Sequence, residues 1–202
     1  MLGLARDEST PDSVRGLALE RLGELPRSAV IGDLFALFRG KKWQVRWVAA
    51  ELILKMSTAA QLDEFMRELG AIEDMAITEP IRYGALIGDL KGPPSPASLA
   101  EKYATVENPT PVRLAALGYF HAHGTNADLS RVNLYANDAN NVPDCQKDAA
   151  GCEWRCATVQ GKNQRLEEIA TVGQFVTHCV VPAIKSRDQG KSEAVKVLFD
   201  RF

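Results

Sequence analysis

The first 144 residues contain no cysteine, and the whole chain has only three histidines. Two of the histidines, His121 and His123, fall in that stretch, and at i, i+2 they do not share a helix face, which weakens a metal reading there. Nowhere does an apolar run reach the roughly 20 residues that span a bilayer as a helix. The opening residues carry Arg6, Asp7 and Glu8 and no apolar core segment, so they do not read as a secretion signal. Charge of one sign is lacking too. The formal net charge is -2, with 15 basic and 17 acidic side chains in residues 1–136 and 9 of each in residues 137–202. No part of the chain carries the basic excess that nucleic acid or an anionic membrane selects. Glycine-rich phosphate loops, G-x-S-x-G and H-E-x-x-H are all absent. No catalytic residue, metal or cofactor is expected from these patterns.

What is present is a repeat. Val14-Arg15-Gly16-Leu17-Ala18-Leu19, Val45-Arg46-Trp47-Val48-Ala49-Ala50, Ile81-Arg82-Tyr83-Gly84-Ala85-Leu86 and Val112-Arg113-Leu114-Ala115-Ala116-Leu117 share one pattern. A β-branched residue precedes Arg, and Ala stands three residues after it. The arginines are 31, 36 and 31 residues apart, the spacing of a helical solenoid. Helix punctuation agrees. Pro11, Pro80 and Pro111 sit where helices start, and Gly40, Gly70 and Gly124 where they stop. The Arg-bearing helices are expected near 10–25, 43–56, 79–90 and 111–124. Their partners are expected near 29–38, 58–70, 97–106 and 126–136. Ala18, Ala49, Ala85 and Ala116 provide small side chains for close helix packing.

From Asn137 the style changes to turn chemistry, followed by Cys145, Cys152 and Cys156. An apolar stripe from Leu166 to Val180 predicts a helix over 164–183, which Pro182 should end or bend. A short last helix is expected over 192–199. An even, clustered set of cysteines predicts two disulfides and an oxidising compartment, periplasmic or extracellular. The expected pairing is Cys145 with Cys152 and Cys156 with Cys179, although four cysteines allow three connectivities. Reduced thiols in a cytoplasmic protein, or a zinc site that adds His178, are the competing readings.

The four Val-Arg-x-x-Ala segments resemble HEAT repeats, in the broad group that includes the HEAT-like repeats of bilin lyases. The resemblance covers about residues 10–136. It implies an all-α, right-handed α-α superhelix of about four helix pairs, with residues 137–202 as a cysteine-containing C-terminal cap. In that family an acid before the second helix often pairs with the Arg and links neighbouring repeats. Asp12 and Glu79 hold that place here, while Trp43 and Thr110 replace it in the other two repeats, so an incomplete ladder is expected.

Directly after the repeat arginines come Gly16, Trp47, Tyr83 and Leu114, and four further on come Glu20, Glu51, Ile87 and Gly118. The two rows share one side of the stacked helices. As an exposed surface they would make Trp47 and Tyr83 binding anchors, with Glu20, Glu51 and Ile87 around them. Alternatively the aromatics pack against the next repeat. The function expected is a non-catalytic scaffold that binds a protein or peptide through the surface of the second helices of the repeats. A lyase-like role in chromophore attachment, or a helical-repeat enzyme that reads damaged DNA, is the alternative by family analogy.

Overall fold

The computed structural model describes residues 3, 4, 7, 9–143 and 168–188, with two short strands at 155–157 and 163–165. It is mostly helical. In chain order the helices are α1 (Asp12–Leu22), α2 (Arg27–Phe38), α3 (Trp43–Lys55), α4 (Leu62–Gly70), α5 (Thr78–Ile87), α6 (Pro96–Tyr103), α7 (Thr110–His123) and α8 (Leu129–Asn133). A small antiparallel ribbon, β1 (Arg155–Ala157) with β2 (Asn163–Arg165), pairs Cys156 with Gln164. Last come α9 (Val172–Phe175), a π-helical turn (Val176–Val180) and α10 (Val181–Asp188).

Local chemistry sets most boundaries. Gln61 accepts the Thr58 N–H through its side chain, and Asp128 does the same for Thr125, so each helix entry satisfies an otherwise orphaned amide. Ser95 caps α6 by accepting from the Ser98 N–H, with Pro96 in the first helical position. Between α5 and α6 the chain reverses at Gly92, whose φ of 88° suits a residue without a Cβ.

Helices α5 and α7 form the most intimate pair. A Cβ on Gly84 would lie 2.0 Å from the Ala115 carbonyl oxygen, and one on Gly118 would lie 2.4 Å from that of Ile81. The two backbones therefore touch directly. The His123 ring extends the contact, its Nε2 lying 2.7 Å from the Ala85 carbonyl oxygen. Around this crossing α3 packs on α5, and α4 and α6 pack on α7. Ala49, Ala115 and Ala116 are fully buried and Ala18 nearly so, in keeping with their role as spacers. One contiguous apolar core runs from Leu22 to Ile184.

The repeat arginines are all buried, at 1–4% exposure. Arg46 makes a bidentate pair with Glu79 at 2.7 and 2.6 Å and donates to the Gly40 and Lys41 carbonyls. Burial disfavours its charge, but the Glu79 hydrogen bonds outweigh that and raise its pKa. Arg113 pairs with Asp138, from the turn segment after α8. Arg15 donates to the Asp7 and Thr10 carbonyls. Arg82 lies 5.4 Å from the Trp47 ring centroid and 6.0 Å from that of Trp43. Arg46–Glu79 and Arg113–Asp138 are acid-bearing links among the described residues, and Asp138 lies outside the repeat register.

The C-terminal part departs from the expected helix over 164–183. Its first residues belong to β2, and the helix begins at Val172. Segment 140–142 pairs with 170–172 through Val142 N–H to Ala170 and Val172 N–H to Asn140, which holds that stretch extended. Pro182 does not end the helix, which continues to Asp188. Pro has no N–H and crowds the carbonyl four residues back, so the turn before it widens to π geometry. Helix α10 packs on α7 and α8. Arg187 donates to the carbonyls of Phe120, His121, Ala122 and Gly124 at the end of α7. Cys179 is fully buried and disulfide-bonded, and its partner's side chain lies outside the described residues. Cys145, Cys152 and the expected helix over 192–199 also lie outside them.

Two predictions follow from this packing. Gly84→Ala should destabilise the protein by about 3 kcal/mol or more, because the new methyl meets backbone that cannot rotate away. Ala49→Leu and Ala116→Leu should cost about 1–3 kcal/mol. Urea unfolding monitored by circular dichroism measures all three. Wild-type midpoints would show that the helices do not cross at these positions.

The second concerns His121, which burial, and then the nearby Arg187 charge, push from 6.5 down to about 4. The unfolded chain takes the proton near pH 6.5 while the folded one refuses it until about pH 4. The stability this group confers is therefore whole above pH 6.5 and declines on acidification toward pH 4, by about 3 kcal/mol in all. Unfolding of wild type and His121→Leu at pH 7.5 and 4.5 should show a steeper acid loss for the wild type.

Candidate functional site

The structure separates the residues singled out as a binding row. Tyr83 is fully buried, with its ring centroid 5.6 Å from Phe38, 5.8 Å from Phe65 and 6.0 Å from Trp47. Its hydroxyl donates to Glu79 Oε2 at 3.2 Å, and burial raises its pKa well above the ordinary tyrosine value. Ile87 and Leu114 are fully buried as well, and Gly118 lies in the helix crossing. For Tyr83 and Ile87 the exposed position is corrected to a core position, the alternative in which the row packs against a neighbouring helix. Its physical cause is that α5 is enclosed by α3 on one side and α7 on the other. The aliphatic Ile87 and Leu114 within that row are the sequence signal that pointed to the core.

Glu20 and Glu51 are exposed, and Trp47 is half-buried. Trp47 stacks on Tyr83 at an interplanar angle of 14° and lies near the Arg82 guanidinium. It supports the aromatic cluster rather than standing free of it. Glu51 borders a cavity of about 390 Å³ shared with Lys55, Leu86, Asp89 and Lys91. Glu20 does not border that cavity, so the two glutamates do not form one site there.

A groove of about 470 Å³ opens elsewhere, between α4, the end of α6 and the start of α7. This size is within the range of ligand pockets. Helix α4 contributes Asp63, Met66, Arg67 and Gly70, at the spacing of one helical face, and Ala71 follows. The opposite wall is Lys102 and Tyr103 from α6, then Asn108, Pro109 and Val112. Gly70 permits the walls to meet, since a Cβ there would lie 3.1 Å from Pro109 Cγ and 3.2 Å from Val112 Cγ2. Met66, Pro109 and Val112 make the groove apolar, while Asp63, Arg67 and Lys102 make it charged. Lys102 Nζ is 2.7 Å from Asp63 Oδ1 and 5.0 Å from the Tyr103 ring centroid. Asn108 donates to the Lys102 carbonyl and to Thr105 Oγ1, which holds the loop before α7 in place.

Tyr103 is the unusual member. Only 6% of it is exposed, and its hydroxyl is buried without a hydrogen-bond partner. An unmet hydroxyl of this kind costs on the order of 1–3 kcal/mol. Nothing in the periodicity of α6 flags it, because Tyr103 reads as one more apolar residue of an amphipathic helix. Among the described residues no group of three His, Cys, Asp or Glu side chains is placed to hold a metal ion. No protein family, characterised protein or solved structure matches this chain.

The revised role of Trp47 makes a measurable difference. Trp47→Ala should lower stability by about 2 kcal/mol, through lost ring stacking on Tyr83 and lost contact with Arg82. Thermal melts followed at 222 nm decide it. An unchanged melting temperature would return Trp47 to the class of exposed anchors.

Proposed function

We propose that this chain is a non-catalytic, HEAT-type scaffold that binds a protein or peptide in the groove between α4, α6 and α7. The groove carries the reading: it joins an apolar base to a charged rim, which is how a surface receives a side chain and orients the backbone around it. The repeat arginines, the alanine spacers and the stacking of consecutive helix pairs support a solenoid of about four pairs. In that reading the pairs wind as a right-handed superhelix, and α10 serves as the cap on its last pair. Residues 137–202 then belong to the cap rather than to a separate activity. The disulfide at Cys179 supports an oxidising compartment, periplasmic or extracellular.

The groove is also easy to block without disturbing the core. Ala71 is exposed at the end of α4 and borders the groove. Ala71→Trp should fill it while leaving the circular dichroism spectrum and melting temperature close to wild type. Selection from a random heptapeptide library displayed on phage should enrich binders on the wild-type protein and not on this variant. Equal enrichment on both would remove the groove from the binding surface.

A further inference from the structure

We infer that the groove selects peptides in which a carboxylate stands beside an apolar side chain, the carboxylate being received by Arg67 and the Tyr103 hydroxyl. This rests on the groove being the binding surface.

The charge pattern supports it. Each acid on the helices around the groove has a close cation. Asp63 pairs with Lys102 at 2.7 Å, Glu64 with Arg27 at 2.9 Å, Glu68 with Arg39 at 2.6 Å and Glu101 with Arg131 at 3.3 Å. Arg67 has the looser arrangement. It is 71% exposed and approaches Glu68 only to 3.7 Å, while the Glu68 carboxylate is committed to Arg39. Glu107, beside Asn108, is bound by Thr105, which lowers its pKa. The groove therefore offers a guanidinium with capacity to spare, and guanidinium forks match carboxylates in bidentate geometry.

Two further features on the facing wall point the same way. Helix α7 starts there, and its N-cap residue, Pro109, provides no capping side chain. Its first-turn amides and dipole favour a negative group. Independently, Tyr103 is more than nine-tenths buried in the groove wall, with a hydroxyl that lacks a partner. The Lys102 ammonium lies 5.0 Å from the Tyr103 ring centroid, and the Lys102 side chain is 57% exposed and paired to Asp63 at the surface. Such pairs contribute about 0–1 kcal/mol, so an incoming carboxylate can displace the stem at small cost. The hydroxyl then donates to the ligand. Met66 and Val112 accept the neighbouring apolar side chain, and the thioether of Met66 adapts to its shape.

The hydroxyl provides an unusual test, because Tyr103→Phe removes an unmet polar atom and keeps the ring. Its stability should equal or exceed that of wild type. Arg67→Ala should be neutral in stability, since the side chain is exposed. Both variants and the wild type are then used to select from the random heptapeptide library, and the bound pools are sequenced. The expected result is a wild-type pool enriched in Asp or Glu next to Leu, Ile, Met or Phe. Chosen peptides of that pool should bind Tyr103→Phe and Arg67→Ala about 5–10-fold more weakly by fluorescence anisotropy, and their Asn or Gln counterparts should lose a similar factor on wild type. A groove-dependent pool without acidic enrichment, or unchanged affinity in both variants, overturns the carboxylate inference and leaves the scaffold reading standing. A pool no different from that of Ala71→Trp overturns both.

Discussion

The approach of two backbones at Gly84 and Gly118 sets the spacing of everything around it. A helix pair separated by ordinary side chains sits at 8–10 Å between axes, and each added methylene widens it. Removing the side chain at both crossing points lets α5 and α7 come into backbone contact. Their neighbours then close at matching distance, with alanines at 49, 115 and 116 forming the next tier of small residues. The groove depends on the same geometry one layer out. Gly70 brings α4 against Pro109 and Val112, so one end of the groove is narrow by construction.

Buried arginines are the second constraint, and they tolerate more variety than the repeated motif suggests. A guanidinium taken out of water needs its donors met, but it accepts several solutions. Arg46 takes a carboxylate in bidentate fashion, Arg113 takes Asp138, Arg15 takes two backbone carbonyls, and Arg82 lies against indole faces. This explains how the repeated arginine can stand in different surroundings, Glu79 pairing with Arg46 in one of them. It also explains the carbonyl-rich environment of Arg187, which solves the same problem at the end of α7.

Much of the helical layout was legible from residues alone, because proline, glycine and capping side chains act locally. Helices α2, α3 and α7 begin and end within about two residues of their expected places, and α4 ends at the expected Gly70 but begins four residues later than 58. The burial of Tyr83 and Ile87 was not legible for a different reason. Helical phase shows that Trp47, Tyr83 and Ile87 share a face, but it does not say whether another layer covers that face. Asp138 and Arg187 were not legible, since their partners lie far along the chain and follow no period. For the groove, only the helices that form its walls were expected in advance, near 58–70, 97–106 and 111–124. The loosely paired state of Arg67 and the unmet hydroxyl of Tyr103 were not, because both are properties of neighbours rather than of spacing. The early start expected for the helix over 164–183 failed because pairing with segment 140–142 holds residues 170–172 extended.

The Arg187 contacts imply an order of events in synthesis. The carbonyls at the end of α7 are made first, and their guanidinium partner lies 63 to 67 residues downstream. A ribosome adding about 5–20 residues per second delivers that partner several seconds later. Until then the His121, Ala122 and Gly124 carbonyls lack that guanidinium, although the Phe120 carbonyl already accepts the Gly124 N–H, and the face that α10 covers stays open. The last layer therefore closes only after the residues of α10 have been made.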